Sequence, residues 1–267
     1  MFRVAVVSQK GGVGKTTLCL NLAYALAARG TRTLLVDTDP EGSIGISIAK
    51  KDEALGLLSV LAGERGLADV LVQTRLPELA ILLAGARTSA DQDALEANLL
   101  REGALSHLLA EAENRFEVIL LDTPAGLRGI TRAVMGASTH VLAPVQAEPL
   151  AFRSLDRVME AVALLREQGL SAELTGFVIT MLQMREAPSL AVAQEMWGAF
   201  PPELVLETMI SRDPAFLQAS AAGVPMALLG RRPPASAGRF DQLAAELEAR
   251  IGLAREVEDD GPVAFLV

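Results

Sequence analysis

The stretch Ser8-Gln9-Lys10-Gly11-Gly12-Val13-Gly14-Lys15-Thr16-Thr17 brings together the residue types that hold a polyphosphate. Gly11, Gly12 and Gly14 let the backbone around Val13 turn its N–H groups inward, around phosphate oxygens. The helix expected to open near Lys15 aims its positive end at the same anion. Lys15 would reach the β- and γ-phosphates, the Thr16 hydroxyl would bind Mg²⁺, and Thr17 belongs to the same nucleotide-binding run. The strict G-x-x-x-x-G-K-[ST] pattern fails, because Gln9 stands at its first glycine position. The chain instead carries an extra lysine, Lys10, at the start of the loop.

Of 24 basic residues only four are lysine: Lys10, Lys15, Lys50 and Lys51. Two of these four flank Gly11-Gly12-Val13-Gly14. A compact ammonium fits between phosphate oxygens where a planar guanidinium does not. Three aspartates follow apolar runs: Asp37 and Asp39 after Leu34-Leu35-Val36, and Asp122 after Val118-Ile119-Leu120-Leu121. In open α/β sheets, ligands bind outside the C-terminal ends of the strands, where these carboxylates would lie.

Those groups need strands and helices to position them. Apolar runs predict strands at residues 4–7, 33–36, 79–83, 117–121, 140–143, 174–180 and 203–206, with Pro144 stopping the fifth. Helical patterns fill 16–28, 91–113 and 152–168, and Phe240, Leu243, Leu247 and Ile251 recur at helical spacing. Strands apolar on both faces, alternating with helices, imply a doubly wound α/β fold: a mostly parallel sheet with helices on both faces. Residues 1–254 read as one domain and 255–267 as a short acidic tail.

Composition excludes several classes. One cysteine, Cys19, permits neither a disulfide framework nor four-cysteine iron–sulfur ligation within one chain. His107 and His140 are too few for a histidine-built metal site. No apolar stretch approaches the roughly 20 residues that a membrane helix needs. No export signal is visible, so a cytoplasmic protein is expected. A net charge of -9 opposes DNA and anionic lipid, so any nucleic-acid contact must come from a local patch.

Four ordered blocks carry a resemblance. They are residues 10–17 with Asn21-Leu22-Ala23, residues 34–42, residues 118–124, and Ala143-Pro144-Val145-Gln146-Ala147-Glu148. Together they resemble the ParA/MinD family of deviant Walker ATPases over residues 2–155, and more loosely beyond. The resemblance implies a P-loop NTPase fold, ATP and Mg²⁺ as cofactors, and slow hydrolysis until an activator completes the site. Lys10 resembles the signature lysine that reaches a partner's phosphates in an ATP-sandwich homodimer. Asp39 resembles the carboxylate that positions the attacking water, with Asp37 supporting it and the switch loop. Asp122 resembles the Walker B carboxylate that holds Mg²⁺ through water. Glu41 stands where the family usually has glutamine, and Ser43 where asparagine is common.

Other features narrow the type. The chain lacks the two cluster cysteines of nitrogenase iron protein, the C-x-x-C pair of iron–sulfur scaffolds and the tyrosine-rich tail of bacterial tyrosine kinases. Its acidic C-terminal tail is not the basic amphipathic helix of MinD. Nor does a helix-turn-helix precede the loop. Small ParA-like relatives resemble ATP-switched binders of non-specific double-stranded DNA on the nucleoid, released when a ParB-like adaptor with a basic segment stimulates hydrolysis. Here, residues 212–239 hold Arg212, Arg231, Arg232 and Arg239 against one acid, Asp213. Arg185 matches a family arginine implicated in DNA contact, whereas Ala215 replaces a second one. Two other readings stand beside this one. One is an ATP-dependent ligase or carboxylase for a small molecule on the same fold; the other is a regulatory ATPase acting through protein contacts alone. Cys19, Trp197 and Phe200 read as core, and Arg153 with Arg157 as a solvated helix face.

Overall fold

The computed structural model describes residues 1–48, 55–148 and 151–253. Its strands are β1 (Phe2–Val6), β2 (Thr33–Asp37), β3 (Val72–Gln73), β4 (Leu79–Leu82), β5 (Val118–Asp122), β6 (His140–Gln146) and β7 (Glu173–Thr180). They form one sheet in the order β3-β4-β2-β5-β1-β6-β7. All neighbours run parallel except the two-residue edge strand β3, which is antiparallel to β4. The strand sequences require this arrangement, since β2 and β5 are buried along their whole length and need cover on both faces.

The helices are α1 (Lys15–Ala28), α2 (Ser43–Ser47), α3 (Leu57–Leu61), α4 (Leu67–Val70), α5 (Ser89–Leu99), α6 (Ala104–Ala112), α7 (Ile130–Gly136), α8 (Ala151–Glu167), α9 (Ala187–Ala199), α10 (Ala215–Ala222) and α11 (Gly238–Arg250). One core lies beneath α1, α10 and α11, where Leu22 and Leu26 meet the stripe Phe240, Leu243, Leu247 and Ile251. A second core lies on the opposite face beneath α3 to α9. The doubly wound fold class expected from the sequence is the fold observed.

Four local expectations are corrected. β6 does not stop at Pro144 but runs on to Gln146. Pairing with β1 ends at Leu142, so on that side no neighbour needs the N–H that proline lacks, while β7 pairs on the other side through Thr180. Residues 203–206 are not a strand; Pro202–Leu204 is a 3₁₀ turn and Val205 makes a single parallel bridge to Phe177. The expected helix at 91–113 is two helices, parted at Gly103, whose φ of 74° favours glycine. Trp197 is not core: it is 40% exposed, because the inner side of α9 is taken by Val192, Ala193 and Met196. Phe200 does pack inward, 5.8 Å from the Phe177 ring. Lys50, Lys51, the Arg153 side chain and the acidic tail lie outside the described residues; Arg157 is exposed.

Candidate nucleotide site

The sheet order places the site. After β1 the chain crosses to β2 on one side, and after β5 it crosses to β6 on the other, so a crevice opens above the adjacent ends of β1 and β5. Val6, Asp122 and Asp37 stand level across β1, β5 and β2. Threonines tie these strand ends together. The Thr123 hydroxyl donates to the Val6 carbonyl at 2.7 Å, and the Thr38 N–H donates to the Asp122 carbonyl at 3.0 Å, joined there by the Thr38 hydroxyl.

The loop of residues 8–14 joins β1 to α1. Gly12 and Gly14 have φ of 75° and 90°, conformations that residues with a Cβ rarely adopt. Gly14 is the N-cap of α1 and has no side chain to cap it. Among the described residues, the N–H groups of Gly14, Lys15, Thr16 and Thr17 donate to no other protein group. A helix start left in that state is an anion site. The Thr180 hydroxyl, at the end of β7, donates to the Val13 carbonyl at 3.0 Å and pins the loop from outside.

The two loop lysines differ in burial. Lys15 is buried, its ammonium 3.1 Å from the Ser8 hydroxyl. Ser8 in turn donates to the Lys10 carbonyl at 2.6 Å. The Lys10 side chain is exposed, and among the described residues its ammonium has no hydrogen-bond or ion-pair partner.

The three carboxylates also differ. Asp37 is fully buried and accepts from the N–H groups of Ile44 (2.9 Å) and Asp39 (3.2 Å), which makes it the anchor of the turn into α2. Burial, and then the neighbouring Asp122 charge, push its carboxyl well above the usual range. Asp39 is half-buried and caps Glu41 N–H at 3.1 Å. Asp122 is fully buried; burial raises its pKa to about 6 against the pull of the Thr16 hydroxyl and the Lys15 ammonium. Its Oδ1 accepts from the Cys19 thiol at 3.6 Å, and its Oδ2 has no hydrogen bond among the described residues.

This arrangement fits a nucleotide polyphosphate with Mg²⁺. The free N–H groups and Lys15 suit phosphate oxygens, and Thr16 with the open Asp122 Oδ2 suits a hard divalent cation. The cation, when bound, supplies charge neutralisation for phosphoryl transfer. Beside the loop lies a cavity of about 750 Å³, whose wall runs from Gly14 and Thr17 through Met181 to Phe216. It has the position and size for a nucleoside whose phosphates sit in the loop. Nothing in the sequence pattern marked this cavity.

The expected DNA-contact arginines fall in two places. Arg185 and Arg212 line the rim of that cavity. Arg231, Arg232 and Arg239 are exposed at and before the start of α11. Ser236, between them, donates to Asp213 at 2.6 Å and so ties this stretch to Arg212. Ala215 opens α10 and packs against the core under α1 and α11, contributing no charge. Ser8, Cys19, Thr38, Thr123 and Thr180 were not singled out from the sequence as site residues. Ser8 bonds within the loop itself, to Lys10 and Lys15, but the partners of the other four lie far away in the chain, so no local pattern reveals them.

Fold and site together define a P-loop nucleotide-binding protein of the two-lysine type. The family described as an AAA domain matches residues 1–175. The chromosome partitioning protein ParA of Caulobacter vibrioides is 33% identical over 259 residues, which is 95% of this chain and 92% of that protein. Among solved structures, the septum site-determining protein MinD of Pyrococcus horikoshii, complexed with Mg-ADP, is 25% identical with a TM-score of 0.77 and covers 96% of this chain and 99% of that one. A structure of a cobyrinic acid a,c-diamide synthase from Mycobacterium smegmatis, with a bound ATP analogue and magnesium, is 26% identical with a TM-score of 0.75, over 95% and 97% of the two chains. This chain belongs to the ParA/MinD family of deviant Walker ATPases. It is an ATPase, and its cofactors are ATP and Mg²⁺. Among the described residues no helix is long and apolar enough to cross a membrane.

Proposed function

We propose that this ATPase positions or partitions a cargo (a plasmid, a chromosome locus or a protein complex) by cycling between an ATP-bound dimer on non-specific DNA and a released form. The observation that carries the reading is the contrast between the two lysines. Lys15 already sits inside the loop, so the exposed ammonium of Lys10 is free to reach the phosphates of a second copy facing it. A monomeric site gives that second lysine no task. Asp39, half-buried at the mouth of the crevice, orients the attacking water. Asp37 holds the turn into α2 that carries Asp39, and Thr16 and Asp122 hold Mg²⁺. Phosphoryl transfer is chiefly positioning and charge stabilisation, so these groups suffice once a partner protein closes the site.

In this reading the patch around Arg212, Arg231, Arg232 and Arg239, extended by Arg185, contacts phosphates and is doubled by dimerisation. Attraction that depends on summed phosphate contacts is sensitive to salt and indifferent to sequence. A ParB-like adaptor with a basic segment would meet an acidic molecule of net charge -9 and promote release. The family's partitioning and positioning members, ParA and MinD among the relatives above, support the assignment. The nucleoid within the cytoplasm is the corresponding location.

Sedimentation of wild type and Lys10→Ala with ATP, ADP and no nucleotide tests the dimer. Wild type is expected to dimerise only with ATP, and Lys10→Ala to stay monomeric while still binding ATP. ATP-dependent dimers of Lys10→Ala would contradict the reading. A second reading, an amide ligase or carboxylase for a small molecule, is favoured by the synthase likeness. It would be supported by a metabolite that binds together with ATP.

A further inference from the structure

Three groups act on Asp122. Its backbone carbonyl is fixed by Thr38, and its carboxylate is met from α1 by the Thr16 hydroxyl and the Cys19 thiol. Cys19 lies one helical turn beyond Lys15 and three residues beyond Thr16, so all three crowd toward the end of β5. Its Sγ is 3.6 Å from Asp122 Oδ1, within the reach of a thiol hydrogen bond, and the residue is completely buried. The other oxygen, Oδ2, is left without a hydrogen bond among the described residues.

We propose that Cys19 is a positioning residue for magnesium: its thiol holds Asp122 by Oδ1 and thereby presents Oδ2 to the cation. The inference rests on Asp122 being the magnesium carboxylate. A thiol suits the task for two reasons. It is apolar enough to pack among the leucines of α1 with no exposure at all. It is also a weak donor, so it orients the carboxylate without drawing off the charge the cation needs. Alanine could pack in the same place but would free the carboxylate to rotate. Serine keeps the donor, yet its shorter bond to oxygen reaches less far across the gap.

The test uses the full-length protein with ADP and Mn²⁺ as the probe, read by electron paramagnetic resonance, for wild type, Cys19→Ala, Cys19→Ser and Asp122→Asn. Thermal melting confirms that each variant is folded. The expected result is Mn²⁺ affinity weakened about 10-fold in Cys19→Ala, as for other groups that orient a metal ligand, partly restored in Cys19→Ser, and lowest in Asp122→Asn. Because the chain has one cysteine, its S–H stretch in the Raman spectrum belongs to Cys19 alone and should shift in Asp122→Asn. Wild-type Mn²⁺ affinity in a folded Cys19→Ala, with Asp122→Asn weakened, would overturn the role of Cys19 only. Wild-type affinity in Asp122→Asn would overturn the assignment of Asp122 and the inference with it. If Cys19→Ala does not fold, Cys19→Ser and the S–H band decide: an S–H stretch unmoved by Asp122→Asn overturns the proposal.

Discussion

Asp39 and Asp37 are two residues apart, yet their surroundings give them different work. Asp37 has both carboxylate oxygens engaged by backbone N–H groups and is fully buried, so it is structural. Asp39 uses one oxygen to cap Glu41 and is half open to solvent, which leaves the other for a water molecule. Asp39→Ala should therefore bind ATP and dimerise normally while kcat falls by roughly 10²- to 10³-fold, the cost of losing one preorganised group in such a site. Nucleotide binding and single-turnover hydrolysis measure the two separately. Unchanged hydrolysis would remove Asp39 from catalysis. These residues were legible in the sequence because each stands within a few positions of a marked strand end. The Cys19–Asp122 contact was not, since it joins residues 103 apart.

At the scale of elements, the connection from β4 into the far side of the sheet depends on two glycines in close approach. A Cβ on Gly56 would lie 2.3 Å from the Leu83 carbonyl oxygen and 2.9 Å from Gly85 N. Both are backbone atoms that cannot swing away, and Leu57 N–H donates to that same carbonyl at 2.8 Å. Gly56→Ala should lower stability by about 1–3 kcal/mol, as overpacking does elsewhere, measured by denaturant unfolding; no loss would show that this junction is loose. At the start of β6, burial lowers the pKa of His140, although Glu173 pulls the other way. The unfolded chain then takes up the proton first. The stability concerned is fully present above the ordinary histidine value of about 6.5 and is lost as pH falls through it toward the lower folded value. Unfolding free energies of wild type and His140→Asn should thus converge as pH drops from 7.5 to 5.5; parallel curves would contradict this. The strands themselves were legible as apolar runs. Pro144 misled because the sequence does not say where β1 stops pairing, and Trp197 misled because α9 is apolar on several sides and does not announce which one faces in.

At the scale of the molecule, the parts converge on one edge of the sheet. The P-loop, the ends of β2 and β5 and the turn into α2 share the crevice between β1 and β5, while α10, α11 and the arginine-rich stretch before α11 pack on the α1 face beside it. Asn21 of α1 joins the two regions: its amide donates to the Thr17 carbonyl at 2.8 Å, and its oxygen accepts from Met226 N–H at 2.7 Å. In the proposed cycle, Asn21 would carry a nucleotide-dependent change at the loop toward the arginines. That proximity was hidden in the sequence, where about 200 residues separate the loop from the patch. In the proposed cycle, ATP switches an acidic protein onto DNA through this patch. The direct measurement is retention of non-specific duplex DNA by the purified protein with ATP and with ADP, each at low and moderate salt. Binding with ATP alone, falling steeply as salt rises, is the predicted result. No binding with ATP, or equal binding with ADP, would contradict it.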